Sequence, residues 1–174
     1  MLGFTYYTPT KVAFGKGSVE RVGELMKQFG GTRVLIHYGG QSAVRSGVLD
    51  RVKKSLDEAG IFHVELGGVV PNPHLAKVRE GIELSKANGV DFLLAVGGGS
   101  VIDGTKLIAA GLLYDGDAWD IVLKGQAGKT VPLATVLTMS ATGSEMNSGA
   151  VISRYETKEK YAFYGDYPVF SILD

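Results

Sequence analysis

The sequence has no cysteine, which excludes disulfides and thiolate metal sites. That absence suits a reducing compartment, and a cytoplasmic protein is expected. There is no excess of either charge, with 18 Lys and Arg against 18 Asp and Glu. Nothing in that balance draws the chain to nucleic acid or to an anionic membrane surface. No apolar run reaches the roughly 18 residues that a membrane-spanning helix needs, so neither nucleic acid nor a membrane is expected as a partner. The opening Met1-Leu2-Gly3-Phe4-Thr5-Tyr6-Tyr7 has no basic region and no long apolar stretch, and no leader peptide is expected. Histidine is scarce too. His37, His63 and His74 stand at no metal-ligand spacing, and no metal site is expected among these residues.

What the chain does contain is an ordinary globular composition. Apolar residues make up 45% of 174, enough for the core of one domain. Charged residues make up 21%, too few for a disordered, self-repelling chain. Many of the 25 glycines fall just after apolar, strand-like runs, where α/β proteins place ligand loops.

Strand and helix patterns alternate. Residues 33–38 are β-prone and end at Gly39-Gly40. Val48, Val52, Leu56 and Ala59 form a helical stripe closed by Gly60. Residues 61–66 alternate as a strand stopped by Gly67-Gly68. Pro71-Asn72-Pro73 makes a turn. Leu75, Val78 and Ile82 mark a second helix, and residues 91–96 form a continuous apolar strand. Residues 101–113 then read as a helix, and residues 132–137 and 169–173 as strands. Residues 151–154 and 161–164 read as a hairpin around a charged segment. Residues 5–14 read as extended, an edge ribbon, ahead of a first helix over 18–29. This order predicts an α/β fold: a Rossmann-like parallel sheet with helices on both faces, plus an N-terminal extended segment and a β-hairpin.

The chemistry concentrates at Val96-Gly97-Gly98-Gly99-Ser100-Val101-Ile102-Asp103. A buried strand meets three glycines and a helix begins. Without Cβ atoms, glycines let backbone N–H groups approach an anion closely. A helix N-terminus adds free donors and partial positive charge. Ser100 is placed either to cap the helix or to donate its hydroxyl to a phosphate. A purely structural tight turn is the other reading. The loop is not a Walker A, because Gly104-Thr105-Lys106 lacks the required ending. It is not a Rossmann Gly-x-Gly-x-x-Gly either, because Ile102 stands at the third glycine. Ser100 and Ser144 lack the Gly-x-Ser-x-Gly frame of a hydrolase elbow.

Gly97-Gly98-Gly99-Ser100-x-x-Asp103-x-x-Lys106 resembles the signature of the iron-type (group III) alcohol dehydrogenases. Pro71-Asn72-Pro73 upstream, Ala141-Thr142-Gly143-Ser144-Glu145 downstream and Phe14-Gly15-Lys16-Gly17 at the start fit the same family. The match spans essentially the whole chain and looks most like the butanol dehydrogenase and NADPH-dependent aldehyde reductase branch. The resemblance implies a dehydroquinate synthase-like N-terminal domain over residues 1–174. It implies hydride transfer between NAD(P) and a primary alcohol or aldehyde, and a homodimer. Gly97, Gly98, Gly99 and Ser100 would hold the pyrophosphate, with Asp103 near the nicotinamide and its ribose. Thr138 and Thr142 would line the nicotinamide and phosphate side, and Asn147 and Lys160 would contact the adjacent ribose. Asp103 as a first-turn acid and Lys160 as a solvated hairpin charge are the structural alternatives. Lys106 and Glu145 are read as structural partners rather than ligand contacts.

The family's divalent metal, iron or zinc, is held by one Asp and three His of a helical C-terminal domain, expected beyond Asp174. This chain ends directly after an apolar strand, so a second domain is expected to be missing, and the chain alone is expected not to turn over alcohols. A non-catalytic nucleotide-binding fragment and a glycerol dehydrogenase-like enzyme are the alternatives.

Cofactor choice is read from Tyr38-Gly39-Gly40-Gln41-Ser42-Ala43-Val44-Arg45. NAD-specific dehydrogenases place an acid after this strand to accept the adenosine ribose 2′-hydroxyl. NAD-using members resemble that, with Asp at the position of Gly40. Here Gly39 and Gly40 are followed by Ser42 and Arg45. A guanidinium and a hydroxyl can hold a 2′-phosphate that a carboxylate would repel. NADP is therefore expected over NAD.

Overall fold

The computed structural model describes residues 3–174; Met1 and Leu2, the start of the segment read as lacking a leader, lie outside them. The described residues form eight strands and six helices, which alternate through the middle of the chain and end in a run of strands. The strands are β1 (Lys11–Phe14), β2 (Arg33–Tyr38), β3 (Phe62–Leu66), β4 (Phe92–Gly97), β5 (Leu133–Leu137), β6 (Gly149–Arg154), β7 (Glu159–Tyr164) and β8 (Phe170–Leu173). The helices are α1 (Val22–Gln28), α2 (Gln41–Arg45), α3 (Val48–Glu58), α4 (Leu75–Ala87), α5 (Gly99–Gly111) and α6 (Ala118–Lys124). Six strands form one sheet in the order β1-β8-β5-β4-β2-β3, parallel throughout, while β6 and β7 pair antiparallel as a separate hairpin.

The period of two along each strand sorts the core into two layers. Val34, Ile36, Phe92, Leu94 and Val96 point to one face and pack with α1 and α3. Leu35, Leu93 and Leu133 point to the other and pack with α4, α5, α6 and the inner side of the hairpin, Ala150, Ile152 and Phe163. Every residue of β4 is buried, as its unbroken apolar run predicts for a strand covered on both sides.

Several sequence expectations shift. Of residues 5–14, read as an extended edge ribbon, only Lys11–Phe14 is a strand, and it does lie at an edge of the main sheet, paired in parallel with β8. The first helix opens as a tighter 3₁₀ turn, Ser18–Arg21, before α1. Two short helices, α2 and α6, lie in stretches with no readable periodicity. α6 is started by Asp117, whose carboxylate accepts from the Trp119 N–H at 2.7 Å. Among the described residues no helix is long and apolar enough to cross a membrane.

The three histidines have structural partners. His63 meets Asp57 at 2.9 Å, and the His74 ring lies 3.9 Å from that of Tyr155. His37, buried in β2, sits 2.9 Å through Nδ1 from the Leu66 carbonyl, which can only accept, so Nδ1 carries the proton. Burial lowers the His37 pKa from the ordinary 6.5 to about 4. The unfolded chain therefore takes up the proton first. Stability from this residue is full above about 6.5 and is lost as pH falls from there toward about 4. The expected loss is about 3 kcal/mol across that window. Unfolding midpoints followed against pH should show a decline that His37→Gln largely removes. A wild-type profile as flat as the variant's would contradict a neutral buried imidazole.

Candidate functional site

The strand order reverses between β2 and β4. From β2 the chain steps outward to β3, then crosses back to β4 and continues to β5 and β8. At such a switch point the loops beyond the carboxyl ends of two neighbouring strands part and leave a crevice. Gly39 and Gly40 follow β2 on one side of it, and the glycines of β4–α5 lie on the other. Gly39 borders α5: a Cβ there would sit in ordinary contact, 3.6 Å from Val101 Cγ2.

α5 begins at Gly99 with Gly98 at its N-cap, and no side chain caps it. Ser100 therefore stands inside the first turn, which removes the cap from its two readings. The first amides of the helix lack intrahelical acceptors and face outward. They open into a cleft of about 420 Å³ lined by Gly98, Gly99, Ser100, Asp103, Thr142 and Lys160, with Asn72, Met139 and Val151 completing the walls. The cleft is fitted to these glycines. A Cβ on Gly97 would lie 2.5 Å from Val101 Cγ2, and one on Gly99 would lie 2.8 Å from Thr142 Oγ1. This backbone cradle at the positive end of a 13-residue helix has the geometry of an anion site.

Asp103 follows one turn on, half-buried between this cleft and an adjoining hollow of about 460 Å³ that Asn147, Ser144 and Tyr164 help to line. Its carboxylate accepts from Ser144 Oγ at 2.6 Å and from the Val151 N–H at 3.0 Å. Burial raises its pKa, opposed by those two hydrogen bonds and by the charge of Lys106. Lys106 is fully buried and donates to the carbonyls of Ser144 and Gly149 and to Asn147 Oδ1, the structural role expected of it. Glu145 is buried beside it in the 3₁₀ turn Ser144–Met146.

Lys160 reaches the cleft from β7 and donates to Asn72 Oδ1 at 2.6 Å. That contact was not legible from the sequence. Asn72 was read only as part of a turn, yet its φ of 57° is a left-handed conformation that Asn tolerates better than most residues. An Asn between two prolines was the available signal.

The structure gathers Gly98, Gly99, Ser100, Asp103, Thr142 and Lys160 around one space, with Gly97 beneath it and Asn147 next door. Thr138 lies elsewhere, in a hollow of about 570 Å³ with Phe14, Lys16 and Asp174. Ser42 and Arg45 are exposed on α2, at the rim beyond β2, and Arg45 Nη2 donates to Gln41 Oε1 at 2.7 Å. Among the described residues no three His, Cys, Asp or Glu side chains cluster as a metal would require.

Comparison with known proteins gives a consistent result. Residues 9–174 match the model of the family described as iron-containing alcohol dehydrogenase. The chain is 55% identical to a Bacillus subtilis protein named "Probable NADH-dependent butanol dehydrogenase 1", covering 100% of this chain and 46% of that protein. It is 44% identical to the NADPH-dependent aldehyde reductase YqhD of Escherichia coli, over 100% of this chain and 46% of the reductase. The crystal structure of NADH-dependent butanol dehydrogenase A from Thermotoga maritima superposes with a TM-score of 0.95 at 48% identity, covering 99% of this chain and 44% of that one. The chain thus spans about half the length of the curated relatives it matches.

Proposed function

This chain belongs to the iron-containing alcohol dehydrogenase family, and on that premise we propose that it is the dinucleotide-binding domain of an oxidoreductase that interconverts primary alcohols and aldehydes. The observation that carries the proposal is the glycine cradle at the start of α5, opening into a cleft that Asp103, Thr142 and Lys160 share. Each group has a task that its chemistry suits. The amides of Gly99 and Ser100 bind the diphosphate of NAD(P), for which the absence of Cβ atoms leaves room. Asp103, an acceptor, takes hydrogen bonds from ribose hydroxyls, and Lys160, a donor held by Asn72, faces it across the cleft. Thr142 closes the wall over Gly99, and Asn147 orients the turn behind Asp103. When bound, the nicotinamide supplies or accepts hydride. The protein's contribution is to fix its position against a small substrate.

The cofactor is read as NADP in preference to NAD. The relatives carry both cofactors in their names, and the loop after β2 is what supports NADP. It presents no carboxylate near Gly40, while Ser42 and Arg45 lie exposed on α2 with guanidinium donors to spare beyond the one on Gln41. Thr138, in the neighbouring hollow, is assigned to the nicotinamide side. The metal of the family is assigned to a part of the protein outside these residues, so the chain alone does not turn over alcohols. Phe4, Tyr6, Tyr7 and Phe14, all exposed in the edge strand β1 or the segment that leads into it, support a homodimer. A cytoplasmic location is part of the same reading.

The intact protein should oxidise 1-butanol and reduce butanal. KM for NADPH should be lower than for NADH by about tenfold, the worth of one charge-assisted contact. A lower KM for NADH would overturn the cofactor assignment. Absence of turnover with either cofactor would overturn the function.

A further inference from the structure

Lys106 is 0% exposed in the middle of α5, yet no carboxylate lies in contact with its ammonium. Its Nζ lies 2.8 Å from the Ser144 carbonyl, 2.9 Å from Ser144 Oγ, 3.1 Å from Asn147 Oδ1 and 2.8 Å from the Gly149 carbonyl. An ammonium has three protons and no lone pair, so Lys106 is the donor in all four contacts, with one proton shared between two acceptors. That settles the direction of the next hydrogen bond. The Ser144 hydroxyl accepts from Lys106 and must send its single proton elsewhere. The nearest acceptor is Asp103 Oδ1 at 2.6 Å. Asp103 Oδ2 accepts in turn from the Val151 N–H at 3.0 Å. Both carboxylate oxygens are met by donors, and protonation would use up a lone pair to which a ligand hydroxyl could otherwise donate. Each oxygen keeps a lone pair, and the carboxylate borders both the cleft and the adjoining hollow.

We propose that Lys106 and Ser144 are positioning residues that act through Asp103: the one-way relay Lys106 to Ser144 to Asp103 holds that carboxylate ionised, so that the cleft accepts a hydroxyl donor such as a ribose diol. The proposal rests on the reading of Asp103 as a cofactor contact. It extends that reading to two residues that never touch the ligand.

The surroundings favour the relay. The charged groups that face Asp103 are Lys106 on its own helix, Glu145 on the 3₁₀ turn behind, and Lys160 across the cleft. β4 and β5 carry no charged residue, and the only one on β6 is Arg154 at its far end. His37 of β2 approaches the next turn of α5 at Gly104 and is neutral in the fold. The lysines and glutamates of α4 lie on its solvent side, where Lys77 pairs with Glu80. Burial raises the Asp103 pKa on balance; the Ser144 hydroxyl, the Val151 amide and the Lys106 charge limit that rise, and the relay supplies two of the three. Burial also lowers Lys106 to about 8, against the pull of Asp103 and Glu145.

The test is NADPH binding to the intact protein, followed by the fluorescence of the reduced nicotinamide as pH is lowered. Affinity should be full while Asp103 is ionised and fall away as it gains a proton. Ser144→Ala removes one oxygen and is the variant that decides. It should weaken NADPH binding roughly tenfold at neutral pH and move the acid limb of binding to higher pH. Ser144→Thr, which keeps the hydroxyl, should restore the wild-type limb. Lys106→Met should move the limb in the same direction, and combining it with Ser144→Ala should add little, because both break one chain of bonds. A role confined to holding the 144–149 connector would lower the unfolding midpoint and leave the acid limb in place, and that result overturns the relay. Asp103→Asn separates the two proposals. If it leaves NADPH affinity unchanged, the reading of Asp103 as a cofactor contact fails and the relay falls with it. If it weakens binding while Ser144→Ala leaves the limb unmoved, only the relay fails.

Discussion

Gly98→Val is expected to cut NADPH affinity of the intact protein by roughly a hundredfold or more while leaving its thermal midpoint within about 2 °C of wild type. The two halves of that expectation come from one position. Gly98 has φ −93° and ψ −167°, an extended conformation open to any residue. The atoms nearest a Cβ there are Met139 O at 3.7 Å and Met139 Cβ at 3.9 Å, ordinary contacts that need no backbone shift. The fold therefore tolerates the side chain. The cleft does not, because Met139 is one of its walls and the new methyls would fill the gap between that wall and the first turn of α5. A diphosphate displaced from those amides loses at least two charge-assisted hydrogen bonds, each worth about 1.5–3 kcal/mol. At about 1.4 kcal/mol per decade, that is the hundredfold. Calorimetric titration with NADPH and a thermal melt on the same sample would check both halves. Wild-type affinity in a folded variant would mean that the cradle does not hold the diphosphate.

Gly23→Ala should do the reverse, costing roughly 2–4 kcal/mol of stability and lowering the midpoint by roughly 5–15 °C. Gly23 lies where α1 crosses α3. Its N–H donates to Ser55 Oγ at 3.0 Å, and that hydroxyl donates to the Glu20 carbonyl at 2.7 Å. A Cβ on Gly23 would stand 2.3 Å from the Ser55 carbonyl oxygen and 2.7 Å from Ala59 Cβ. The obstacle is mainly backbone, which cannot swing aside as a long side chain can. The helices must separate, and the buried Gly23–Ser55–Glu20 bonds stretch with them. α1 and α3 pack on the opposite face of the sheet from α5, so NADPH affinity of the folded protein should stay within about twofold of wild type. A midpoint within about 1 °C of wild type would show that α1 and α3 can part at little cost.

The contrast between these two glycines bears on what could be read in advance. Gly97-Gly98-Gly99-Ser100 stood out because it follows a fully apolar strand and precedes a helix. The order of elements announced the parallel sheet for the same reason: β4 has no polar face, and α3 and α4 carry clear stripes. Gly23 gave no such signal, since nothing in Val22-Gly23-Glu24 names the partner that needs its space. α2 and α6 were missed because helices of five and seven residues span too few turns to show a period. The cap, one of the two roles that local chemistry offers Ser100, is ruled out because the helix starts earlier, at Gly99.

By itself, then, the sequence determined the class of fold, the position of the glycine loop between β4 and α5, and the family, through motifs that lie in order along the chain. Those are properties of neighbours in sequence: a period, a run of small residues, a spacing of three. Only the tertiary structure decided which of the motifs share a space. It brought Asp103, Thr142 and Lys160 to the cradle, set Thr138 in a separate hollow, and left Ser42 and Arg45 on the rim beyond β2. It also turned Asn72 onto Lys160 and buried Lys106 against the 144–149 connector. Such contacts join residues 38 to 88 positions apart, and they follow from the order of strands in the sheet, which no local pattern encodes.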